Sequence, residues 1–343
     1  MKKNTLSILL AATLLITSCE KAIMTPDTAP TAVNTFEYLW HKVDQQYSMF
    51  DVKEVDWGAV YDSLRPQVRN GMTNDSLFLV CAKMLNTLRD GHVNLYSSYD
   101  ISRSDSIYYD FYTRSSIDIH TVVLNYLGIS YHMTGGLAHN GLCDGQVIYI
   151  RYSSFSNGFS LGQLRYIINS YPEAQGMILD IRDNGGGSLA NVDNLLRVMP
   201  SHGQVLYRSQ IKSGPNHNDF TPLVETYAPM VADSLAFQQP VYVLIDRGCF
   251  SAASVFAIST QAYDNIKLVG DTTSGGLGLP SSGVLPNGWQ YRFPVTRAIA
   301  LDGNNYENGV PPDIYIAFNA EDAHLHGRDN IIDSVCQLII NQK

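Results

Sequence analysis

The chain has 343 residues and sets 23 Lys and Arg against 32 Asp and Glu, a formal net charge of -9. That balance excludes a nucleic-acid binder, which needs a basic footprint, and it says nothing about a substrate. The length allows one large domain or two smaller ones, and no CxxC pair among the five cysteines suggests a metal.

The N-terminus reads as an export signal. Lys2 and Lys3 precede an apolar run at 6–16. The run is too short for a bilayer, which needs about 20 apolar residues, but it fits the core of a secretory signal. It ends in Thr17-Ser18-Cys19. This start is similar to a bacterial lipoprotein signal, which implies residues 1–18 as signal peptide and Cys19 as the acylated first residue. Residues 19–34, rich in Thr, Pro and Ala, then read as a tether. The expected location is the cell envelope, lipid-anchored on the outer membrane and facing the periplasm or the surface. The membrane would be met only through acyl chains. An exported chain permits disulfides among Cys81, Cys143, Cys249 and Cys336. Buried free thiols are the plainer reading.

Residues 35–90 have a helical pattern. Phe36, Leu39, Val43 and Tyr47 recur at helical spacing, and Leu77, Cys81, Met84, Leu85 and Leu88 form one apolar stripe. A small N-terminal helical bundle is expected. After Arg89 the pattern shifts to short β-like runs at 93–96, 117–126 and 147–152. From there strand and helix alternate. The runs 177–181, 241–245 and 266–269 read as buried strands, and 189–198 and 252–262 as helices. Continuous apolar strands between helices imply a sheet covered on both faces. His324 and His326 fall in a polar stretch expected to be an exposed loop, and no metal site is expected.

Four segments could carry chemistry. LDIRDNGGG (179–187) leaves a buried strand and opens a helix, where N–H groups favour an anion. It lacks the GKS or GKT ending and the GxGxxG spacing of phosphate loops. In LIDRGCFSAAS (244–254), Ser251 sits at a second strand-to-helix turn. There the Ala252 amide and the helix dipole favour developing negative charge. The same position also suits an ordinary N-cap serine. Arg89-Asp90-Gly91-His92 places a histidine where the helical part meets the first strand. Histidine is the usual base for a serine, although a single histidine is also a common structural residue. The turn 306–314 carries Glu307, which could orient a catalytic group or merely cap the turn.

In this order the LDIRDNGGG, LIDRGCFSAAS, VGDTTSGG (269–276) and ENGVPPDI (307–314) segments resemble the C-terminal processing and tricorn-type serine peptidases. The resemblance implies a crotonase-like α/β core over 91–343. One catalytic arrangement in that family uses a lysine in the loop after the nucleophile helix. Here Gly276 holds that place, and no lysine follows Lys267 before Lys343. The resemblance then points to the tricorn-type arrangement. Ser251 matches the nucleophile, His92 the base, Glu307 a carboxylate supporting the histidine through a hydrogen-bond chain, and the Gly187 and Ala252 amides the oxyanion donors. Gly91 departs from the pattern, because in tricorn a serine precedes the histidine and joins the relay. Ser254 stands where processing enzymes often carry glutamate. A PDZ domain needs roughly 80–100 residues, and the stretch 95–147 is too short for one.

The expected activity is hydrolysis of peptide or protein substrates through an acyl-enzyme, with no metal and no cofactor. Two other functions use the same scaffold. One is a non-catalytic binder of lipid, peptide or glycan, against which the presence of Ser, His and Glu together argues. The other is an esterase. Oligomeric state is not legible.

Overall fold

The computed structural model describes residues 28–104 and 117–341. Cys19 and the signal segment lie outside the described residues. Helix begins earlier than the expected end of the tether. α1 spans Ala32–Gln46, with Thr31 accepting from the Asn34 N–H as N-cap. It is followed by α2 (Phe50–Lys53), α3 (Trp57–Leu64) and α4 (Asn74–Asn86), then by strands β1 (Asn94–Tyr96) and β2 (Ile101–Arg103).

The run 117–126, expected as β, is helical: α5 (Ile119–Val122) continues into a π-turn at Val123–Leu127. Its β-branched residues favour strand locally. However, Asp118 caps the segment by accepting from the His120 and Thr121 N–H groups. Val122, Tyr126 and Leu127 are buried in a core shared with the C-terminal helix. The cap and the tertiary packing override propensity.

The rest of the chain alternates more regularly. β3 (His132–Thr134), β4 (Leu137–Leu142) and β5 (Val147–Arg151) precede α6 (Leu161–Asn169) and β6 (Gly176–Asp180). α7 (Leu189–Leu196), β7 (Val205–Ile211), β8 (Val224–Tyr227), β9 (Val241–Ile245), α8 (Ala252–Ser259) and β10 (Ile266–Gly270) follow. The chain ends with β11 (Pro280–Val284), β12 (Gln290–Pro294), β13 (Thr296–Ile299), β14 (Ile314–Tyr315), α9 (Ala320–His326) and α10 (Asn330–Ile340). His324 and His326 therefore lie in the last turn of a helix, not in a loop. There they complement the negative end of the helix dipole.

The central sheet has seven strands in the order β14-β10-β9-β6-β5-β4-β3. The run from β14 to β5 is parallel, and β4 and β3 add antiparallel. Both faces are covered, which is why its strands read as continuous apolar runs. Ile148, Leu179, Val243 and Ile245 face a core with α6, α7 and α8, whereas Tyr149, Ile178, Tyr242 and Leu244 face one with α10. Arg182, fully buried just past β6, binds Asp180 at 2.6 Å and Asp329 at 2.9 Å. Because Asp329 also caps α10, this charged cluster clips the last helix to the end of β6.

A third core lies apart from that sheet. Helices α1 to α4 pack on a four-stranded antiparallel sheet, β11-β12-β1-β2, burying Phe36, Trp57, Leu85 and Phe293 together. A smaller antiparallel sheet, β13-β7-β8, completes the molecule. No helix of the described residues is long and apolar enough to cross a membrane.

Candidate active site

Two strand-to-helix turns meet at the C-terminal edge of the central sheet. The turn after β9 places Ser251 at φ 56°, ψ -120°, a left-handed-side conformation rare for a residue with a side chain. Such a backbone persists only where its surroundings fix it. Here the Ser251 N–H donates to Gly275 O at 2.9 Å and the Phe250 N–H to Asn184 O at 3.0 Å. The turn after β6 is bound to this one. The Asp183 N–H donates to Asp246 Oδ1 at 2.8 Å, and Cys249 Sγ donates to Ile181 O at 2.9 Å. A Cβ on Gly186 would sit 2.8 Å from Ser251 Cβ, so only glycine permits this approach.

Ser251 stands at the N-cap position of α8, but its side chain makes no capping bond to that helix. Instead Ser251 Oγ lies 3.0 Å from His92 Nε2. The 159 positions that separate them in sequence are bridged by the fold alone. Among the described residues, neither the Ala252 nor the Gly187 N–H donates to a protein acceptor. Ala252 opens α8 next to the serine, so its free donor and the helix dipole both favour negative charge there.

His92 is 4% exposed, and its turn is held from below. Asp90 accepts from the His92 N–H at 2.8 Å through Oδ1 and from the Tyr47 hydroxyl at 2.8 Å through Oδ2. Burial lowers the His92 pKa to about 4, with Arg292 and Lys53 pushing the same way and Asp90 opposing. The ring is therefore neutral near pH 7 and able to accept a proton. His92 Nδ1 is buried without a well-formed hydrogen bond, and the Gly278 main chain beside it is the group that would stabilise a proton there.

Glu307 does not bond His92 directly. Its Oε2 accepts from the Leu277 N–H at 2.7 Å and the Gly278 N–H at 3.2 Å, and the Gly278 main chain also acts on His92. The carboxylate is 1% exposed. Burial raises its pKa to about 8, and Asp90 adds to the rise. Lys53 and the two amides oppose it.

The place of the missing lysine is filled. A Cβ on Gly276 would lie 2.2 Å from the Phe250 ring. That ring packs on His92 with centroids 4.6 Å apart. Phe250 thus occupies the space beside Gly276 and walls the imidazole. Ser254 donates to Thr273 Oγ1 at 3.0 Å, inside the loop that carries Gly275 and Gly276. Burial pushes the Cys249 thiol well above its usual pKa. All four described cysteines are free thiols. Among the described residues no group of His, Cys, Asp and Glu is arranged to hold a metal.

Sequence reasoning missed Tyr47, Lys53, Asp90 and Phe250 as parts of this site. Asp90 and Phe250 lie within the quoted segments. Tyr47 carried only the signal of a core position at helical spacing, and Lys53 carried none.

A strained serine turn, a buried neutral histidine and a free amide donor on an α/β sheet define a hydrolase-type site. Comparison with known proteins gives the family. Residues 146–316 match the model described as peptidase family S41, and residues 33–86 match the tricorn protease C1 domain. A candidate peptidase from Parabacteroides merdae ATCC 43184, known as a crystal structure, is 35% identical, with 91% of this chain and 98% of that chain covered at a TM-score of 0.85. The photosystem II D1 C-terminal processing protease shares the fold at a TM-score of 0.53 and 16% identity, covering 85% and 94% of the two chains. Carboxy-terminal processing protease CtpB of Bacillus subtilis (strain 168) is 24% identical over 145 residues, 42% of this chain and 28% of that protein. The chain spans only 28% and 35% of the length of the curated relatives it matches. The chain belongs to the C-terminal processing and tricorn-type peptidases of family S41.

Proposed function

We propose that the chain is a serine-type endopeptidase acting on peptide or protein substrates, with Ser251 as nucleophile, His92 as base and Glu307 as supporting carboxylate. The observation that carries this reading is the 3.0 Å contact between Ser251 Oγ and His92 Nε2 at a strained strand-to-helix turn. Ser251 Oγ attacks the scissile carbonyl while its proton passes to His92 Nε2. The oxyanion is met by the Ala252 and Gly187 N–H groups. His92 returns the proton to the leaving amine, and water releases the acyl group by the same steps. In this reading 91–343 form a crotonase-like core, and 35–90 form a small helical bundle that frames the histidine. Residues 1–18 act as a signal and 19–34 as a tether, holding the chain to the cell envelope by acylation at Cys19.

The test is labelling of the full chain with a fluorophosphonate probe and turnover of a mixed peptide pool. We expect one adduct, on Ser251, and cleavage that disappears in Ser251→Ala. An adduct that survives that change, or an inert wild-type protein, overturns the reading. Partition into detergent that is lost in Cys19→Ala tests the anchor separately.

A further inference from the structure

A short helix from the N-terminal layer reaches the site. α2 ends at Lys53, whose side chain is 6% exposed. Its Nζ donates to Asn308 Oδ1 at 2.8 Å and lies 3.8 Å from Glu307 Oε1. Both ends of the residue are fixed. Asn308 Nδ2 donates back to Val52 O at 3.3 Å, and Arg89 Nη2 donates to Lys53 O at 2.7 Å. A buried ammonium is costly unless paired, and here the partner is the carboxylate next to the site.

The charges around Glu307 show what the lysine does. Asp90 and the Tyr47 hydroxyl stand near Glu307, and both Lys53 and Arg292 act on His92. Lys53 favours the ionised form of Glu307, which brings a negative charge to the cluster. An imidazolium formed at His92 would neutralise it. Without Lys53, the effect of Asp90 on Glu307 loses its opposing cation, and Glu307 holds its proton more tightly.

We propose that Lys53 is a positioning residue: paired with Glu307, it favours the carboxylate form and sets it on the Leu277–Gly278 amides, and so holds the main chain that backs His92. This rests on the hydrolase reading above. Among the described residues the lysine makes no hydrogen bond to Ser251 or His92, and its ion pair with the site is to Glu307.

The rate of fluorophosphonate labelling of the full chain, followed from pH 5 to pH 10, tests it. In the wild type the rate should climb through about pH 8 as Glu307 loses its proton. In Lys53→Met the climb should move up by about one unit or more, slowing labelling near pH 7 about tenfold. Lys53→Arg should restore most of the rate. In a Glu307→Gln background, removal of Lys53 should cost nothing further, because the pair is already broken. A Lys53→Met protein with the wild-type profile overturns the proposal and leaves the hydrolase reading intact. A wild type that does not label overturns both. Should Lys53→Met fail to fold, Asn308→Ala, which frees Nζ, should give the same upward shift at smaller size, and an unshifted profile there is equally fatal.

Discussion

Ser251 and His92 touch, yet they grow from different cores. Ser251 leaves β9 and enters α8, and both of these elements are buried in the central sheet's own core. Its conformation is fixed by neighbours on that sheet and by the loop after β10. His92 stands between Leu88 and Val93, which belong to the core of the N-terminal helices and the four-stranded sheet. Beyond the adjacent Asp90, its surroundings are borrowed over long range, from Tyr47 behind that aspartate and from Lys53, Gly278 and Arg292. Ser251, the proposed nucleophile, is thus set within one core, and His92, the proposed base, by the docking of one layer on another. A site split in this way depends on an interface within the chain as much as on its own residues.

The largest test asks whether both halves are needed. Ser251→Ala and His92→Ala should each cost about 10⁶-fold in turnover, as loss of a nucleophile or base does in a catalytic triad. A His92→Ala enzyme that kept substantial peptide turnover would break the comparison by showing that the serine half works alone. A second test concerns the lysine-free loop. Gly276→Lys should not install a new base, because its Cβ would meet the Phe250 ring at 2.2 Å and φ is +75°. Overpacking and backbone strain together should destabilise the fold by about 2–5 kcal/mol in urea unfolding. The double variant His92→Ala, Gly276→Lys should stay unreactive to the probe.

The third test is pH. A His92 pKa near 4 means that between pH 6.5 and 5.5 labelling falls only about tenfold per unit, through Glu307 alone, whereas an unshifted histidine would add a second proton and steepen the fall. Stability follows with a definite sign. Below about pH 6.5 the unfolded histidine takes up a proton that the folded one refuses until about 4. Stability is therefore lost as pH falls through that window, by up to about 3 kcal/mol. His92→Gln should flatten that part of the stability curve. The smallest effect is expected for Tyr47→Phe, which leaves Asp90 Oδ2 without its hydroxyl donor. A loss of about 1–3 kcal/mol in stability, with a modest fall in labelling rate, would match a buried hydrogen bond.

The same division governs what the sequence makes legible. β6, β9 and β10 stand out because strands covered on both faces are continuously apolar, and the glycine-rich and serine turns follow them directly. The contact of Ser251 with His92 is not encoded in local pattern and is reached only through the order of the motifs. Lys53 is out of reach: its helix has four residues, and its hydrogen-bond partner Asn308 is 255 positions away. The four-stranded sheet is hidden for the same reason, since β1 pairs with β12 across most of the chain. The segment 117–126 misleads because Val122 and Val123 suggest a strand, while Asp118 and the packing of Tyr126 decide for helix.

Cys249 gives the site a chemical selectivity. The thiol stands two residues before the serine, yet it is wholly buried, donates to Ile181 O and is held well above its usual pKa by burial. Soft electrophiles need a thiolate within reach, and this sulfur offers neither charge nor access. Iodoacetamide or a maleimide should leave the protein competent, while a reagent that phosphonylates oxygen should silence it. For any covalent inhibitor of this chain, oxygen rather than sulfur is the atom to design against.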